Sequence, residues 1–119
     1  MKDYVIKMKH EDSDNVTVCF YIEQNKVLDI GEKMNAINEQ AYMNGYNWEA
    51  FLNYYLEKNY PELIEGLDGD PEAGTYVALY DNADEAKADK LVEIIENLIE
   101  NEALLYEIVK NEGELVEWD

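Results

Sequence analysis

Three carboxylates at alternate positions, Asp68, Asp70 and Glu72, come closest in this chain to a pattern that does chemistry. Calcium loops place oxygen ligands at such spacing. The calcium-loop pattern fails here, because a loop starting at Asp68 would need glycine at its sixth position and glutamate at its twelfth. Those positions hold Ala73 and Leu79. The run therefore reads as a loose metal site, a solvated turn or a contact surface for a partner's Lys and Arg. Other chemistry is thin. His10 is the only histidine and Cys19 the only cysteine, which is too few for a standard zinc set. A Cys19–His10 nucleophile pair would need a third, orienting group and a pocket. The sequence has no glycine-rich phosphate loop, nucleophile elbow or HExxH motif. It predicts no catalytic residue, no metal and no cofactor.

Charge says more. The chain carries 28 Asp plus Glu against nine basic residues, all of them lysine, for a net charge of -19. The charge is uneven: residues 1–60 hold 10 acids and 6 lysines (-4), and residues 61–119 hold 18 acids and 3 lysines (-15). Arginine, the usual bidentate clamp for phosphate, is absent. Nucleic acid and anionic membranes are poor partners for such a surface, since phosphate contacts dominate those affinities. A basic protein is a good one. With 119 residues the chain predicts one domain, residues 1–119, able to fold without a staple. No disulfide framework, no signal-like apolar run at the N-terminus and no membrane-length apolar stretch predict a cytoplasmic protein.

These residues must be positioned by regular elements. Residues 2–9 alternate as a half-buried strand, with Tyr4, Ile6 and Met8 facing one way and Lys7 and Lys9 the other, beside Asp3 and Val5. Val16, Val18, Phe20 and Ile22 line one face of a second strand, and Thr17, Cys19 and Tyr21 the other. Both faces are apolar enough for a central strand. A helix is expected over residues 31–43, stopped by Asn44-Gly45 with Gly45 left-handed. The main helix follows over 48–59, capped by Asn47 and built on Trp48, Phe51, Leu52, Tyr55 and Leu56. Pro61 opens an extra turn that Gly66 closes. Residues 66–74 read as an acidic, turn-rich loop and 75–80 as a strand. Asn82 and Glu85 suggest a capping box for a helix with an Ala88, Leu91, Val92, Ile95, Leu98, Ile99 stripe. Its other face carries Asp89, Glu93, Glu96 and Glu100, four acids that repel. Asn101 breaks this helix and caps the next, which bears Leu104, Leu105, Ile108 and Val109 and ends at Gly113. Residues 114–119 are an edge strand or an ordered tail pinned by Leu115, Val116 and Trp118. The sum is an α+β fold with an antiparallel sheet of three or four strands against three to four helices. Trp48, Phe51 and Tyr55 are expected in the core. Tyr46, Tyr54 and Tyr60 are expected outside it, forming with Asp68, Asp70 and Glu72 an aromatic-plus-acid patch suited to a cationic surface.

Two stretches carry a family resemblance. Gly45, Tyr46, Asn47, Trp48 and Glu49, followed by Asp70, Pro71, Glu72, Ala73 and Gly74, resemble elements of the bacterial immunity protein 51 family. Asn47 stands where that pattern usually has aspartate. The resemblance implies a small non-enzymatic protein, encoded beside a secreted polymorphic toxin, that protects its producer by binding the toxin. Combined with the charge, it implies a basic cognate toxin domain as partner, with a nuclease as one candidate. An acidic interaction module or nucleic-acid mimic that binds basic proteins without inhibiting a toxin is the alternative.

Overall fold

The computed structural model describes residues 3–9 and 12–119. His10 lies outside the described residues. Alternating β-branched and aromatic residues build a four-stranded antiparallel sheet: β1 Val5–Lys9, β2 Asn15–Tyr21, β3 Asp68–Gly69 and β4 Thr75–Asp81, in the order β1-β2-β4-β3. Four α-helices complete the α+β fold: α1 Asn25–Ile37, α2 Gly45–Asn59, α3 Glu85–Glu100 and α4 Glu102–Glu112. Helices α2 and α3 pack on the sheet, and α4 packs against α1 and α3. The core lies between the layers. Val16, Val18 and Phe20 of β2 meet Tyr76, Ala78 and Tyr80 of β4, the full α3 stripe, and Trp48, Phe51, Leu52 and Leu56 of α2. Trp48 sits edge-on between Phe20 and Phe51, with ring centroids 5.0 and 6.0 Å away. Tyr55 is only half-buried, stacked on the outer side of Phe51.

Several local expectations are corrected. Helix α1 begins at Asn25, six residues early, because Val27, Ile30, Gly31 and Met34 supply its buried stripe. It ends at Ile37, so Ala41 is buried from a loop. Gly45 is not a left-handed stop; it is the first residue of α2. Asn44, not Asn47, caps that helix, accepting from the Asn47 N–H at 2.9 Å. Asp81 caps the short 3-10 turn of residues 82–84 through the Ala83 N–H, and Asn82 instead donates to the Ser13 carbonyl, so no capping box forms. Gly66, with φ of 80°, does close the turn after Pro61. The tail forms a 3-10 turn rather than a strand. Val116 and Trp118 pin it while Leu115 is 65% exposed.

The first strand buries the face that carries its lysines. Val5 is fully buried, and Lys7 shares its face, with its ammonium 2.6 Å from both Glu85 and Asp89 of α3. Ile6 and Met8 occupy the opposite face. Lys7 works there because its aliphatic stem can cover apolar surface while its charge reaches the helix acids. The same pairing relieves part of the α3 repulsion, aided by Lys26 on Glu100 and Lys90 on Glu93. The Lys7 and Lys9 ammonium groups hold the Glu85 carboxyl down to about 2, against an ordinary value of 4.5. A depressed carboxyl contributes stability above its unfolded value and loses it as pH falls through the folded one. Relative to Glu85→Gln, the natural protein should therefore be more stable above about pH 4.5, with the advantage shrinking to nothing near pH 2. Denaturant midpoints of both proteins across pH 2–6 check this; a constant difference would contradict it.

Candidate functional site

The acidic stretch is not a loop. Asp68 pairs with Leu79 and Gly69 with Ala78; the Asp70 N–H donates to the Val77 carbonyl at 2.9 Å, and Glu72 bridges to Thr75. One antiparallel register thus runs from Asp68 to Thr75 around a tight Ala73-Gly74 turn. Pro71, which lacks an N–H, interrupts the ladder without changing the register. Alternate residues of an extended arm point the same way. Asp68, Asp70 and Glu72 therefore stand in a row beside Leu79, Val77 and Thr75, about 7 Å apart, all three exposed. They spread along an edge rather than converging. Among the described residues no group of three or more His, Cys, Asp or Glu is placed to hold a metal ion.

Glu49 of α2 links this edge to a second feature. A Cβ on Gly69 would come 2.1 Å from the Glu49 carboxylate, so helix and strand touch at that point. Burial, then the nearby Asp70 charge, pushes the Glu49 pKa up. On the far side of Glu49, a groove of about 410 Å³ lies between α2 and the C-terminal tail. Tyr46, Tyr54, Leu115, Glu57, Glu117 and Asp119 line it with Glu49, and its lining includes no lysine. The lysines are engaged elsewhere: Lys7, Lys9, Lys26, Lys33, Lys58 and Lys90 each reach a carboxylate of the chain itself.

The expected aromatic-plus-acid patch is thus only partly assembled. Tyr46 is 42% exposed in the groove. Tyr54 is half-buried at the groove wall, with its hydroxyl donating to Glu112, which also pairs with Lys58. Tyr60 faces away: it packs on Tyr55 at 6.3 Å, under the Lys90 ammonium, 5.6 Å from its ring centre. The sequence pattern gave Glu49, Glu57, Glu117 and Leu115 no place in this patch; Glu49 and Glu57 lie on α2, and only the docking of the tail brings Leu115 and Glu117 beside them.

The two resembling stretches meet in space. The Gly45 N–H donates to the Ala73 carbonyl at 2.8 Å, and Gly45 lies so close to the 72–75 turn that no side chain fits between them. A family model described as immunity protein 51 matches residues 6–114, which include both stretches. The chain belongs to the immunity protein 51 family. No curated protein and no solved structure matches it. Membership gives this immunity protein 51 member a general immunity role, which is not an enzymatic one. Asn47 has a local use. The buried Asn47 amide donates to the Tyr42 carbonyl at 2.8 Å and accepts from the Asp119 N–H at 2.6 Å. An ionised aspartate could accept but not donate, so this immunity protein ties two loops to α2 with one side chain.

Proposed function

We propose that this immunity protein binds one cognate bacterial toxin domain in the cytoplasm of the producing cell and neutralises it by covering a basic working surface. The observation that supports the reading most is the sorting of charge. Internal pairs absorb most of the lysines, while Asp68, Asp70, Glu72, Glu49 and the tail acids face outward along β3 and the adjoining groove. Such a field speeds encounter with a basic partner and selects against acidic ones. Tyr46 and Leu115 add aromatic and apolar contact area beside the acids. A nuclease domain fits best, because surfaces that hold phosphate backbones are rich in Lys and Arg.

The test is co-expression with the C-terminal toxin domain of the secreted protein encoded beside this gene. Restored growth and a co-purifying one-to-one complex are the expected results. Continued toxicity with no complex overturns the proposal.

A further inference from the structure

The helices cover only one face of the sheet. On the other face, Ile6, Cys19 and Val77 form one cross-strand row, and Met8, Thr17 and Leu79 the next. Ile6, Met8, Val77 and Leu79 are half-buried and take no part in the helix-side core. Tyr21, on the same face, reaches the Cys19 thiol with its hydroxyl, and among the described residues the packed helices α2 and α3 belong to the opposite, core side. The free thiol of Cys19 is buried within the middle row, not in the main core. Among the described residues the charge on this face has one sign. Lys7 and Lys9 belong to the helix side, where they pair with Glu85, whereas Asp68 and Asp70 continue the apolar rows at the β3 edge.

We infer that this uncovered sheet face is the desolvated centre of the toxin-binding surface, and that it takes an apolar patch fringed by Lys or Arg on the toxin domain. The inference rests on the immunity reading and adds where the toxin sits. The two rows cross three strands and lie about 7 Å apart along them, so the apolar centre covers on the order of 200 Å² in plan. A standard interface uses about 800 Å² per partner. Contact must therefore continue past the rows, and it can do so over Asp68 and Asp70 to Glu49, which adjoins β3. The arrangement is that of an interface with an apolar centre and a charged rim. The acidic border distinguishes the occupant from a second copy of this chain, whose own acids would face it in a symmetric pairing.

The test is a charge-neutral triple variant, Ile6→Thr, Val77→Thr and Leu79→Thr. Threonine keeps the strand preference and leaves the acidic field unchanged. Binding to the same toxin domain should weaken at least about tenfold, mainly through faster dissociation, with the salt dependence retained. Glu107→Lys, on the exposed side of α4, should change affinity by less than about threefold. A second readout needs no variant: in the complex, saturation of the toxin domain's protons should transfer to the methyl groups of Ile6, Val77 and Leu79. Toxin binding by the natural protein with unchanged affinity of the threonine variant, or with no saturation transfer to these methyl groups, overturns the inference and leaves the immunity reading standing. A homodimer that the variant dissociates without loss of toxin binding also overturns it. Absence of any toxin complex with the natural protein removes both.

Discussion

Gly45→Ala should destabilise the protein by about 3 kcal/mol, at the upper end of what overpacking usually costs. The added methyl would sit 1.7 Å from the Glu72 carbonyl oxygen and 2.7 Å from that of Thr75. Both are backbone atoms of a hairpin turn, so no side chain can rotate away. Relief requires the start of α2 to part from that turn, which breaks the Gly45 N–H bond to the Ala73 carbonyl and shifts Trp48 within the core. Gly74→Ala is the informative contrast. Its methyl would meet only the end of the Glu23 side chain, which is exposed and can swing aside. The loss there should stay below about 1 kcal/mol. Urea denaturation of both variants decides the matter, and equal losses would contradict this explanation of why the two resembling stretches keep close company.

The second large effect is on toxin binding. Joint replacement Asp68→Asn, Asp70→Asn and Glu72→Gln removes three outward charges without changing shape. Charges at an interface border are worth about 0.5–1 kcal/mol each, so affinity should fall roughly 30-fold at low salt. The fall should appear mainly in the association rate, because these groups steer encounter. Folding should be little affected, since all three side chains are exposed. Association kinetics at low salt, wild type against triple variant, give the answer. Unchanged rates would remove the β3 edge from the binding surface.

How far these features were readable depends on how local their causes are. Strand β2 and helix α3 follow from their own periodicity: Val16, Val18 and Phe20 alternate, and Ala88, Leu91, Val92, Ile95, Leu98 and Ile99 fill one helical stripe, all of them buried. Strand β1 did not declare its buried face because its alternation is ambiguous. Both Val5 and Ile6 are apolar, and the choice was made by Glu85 and Asp89 of α3, some eighty residues away. The start of α1 was legible in the spacing of Val27, Ile30 and Met34, but Gly31 drew the boundary into the middle of the helix. In the acidic stretch, Pro71 and the three glycines Gly66, Gly69 and Gly74 suggested a loop. The period of two in Asp68, Asp70 and Glu72, read there as ligand spacing, is that of a strand arm paired with β4. The candidate site was half legible for the same reason. Its acids are contiguous in sequence, whereas Glu49, Leu115 and Glu117 reach it only through tertiary packing.

The most direct measurement of the central claim is the dissociation constant of the complex with the cognate toxin domain across a series of salt concentrations. Capture of a basic surface by an acidic one predicts an affinity that falls steadily from about 50 mM to about 500 mM salt, with the drop concentrated in the association rate. An affinity indifferent to salt over that range would contradict the account.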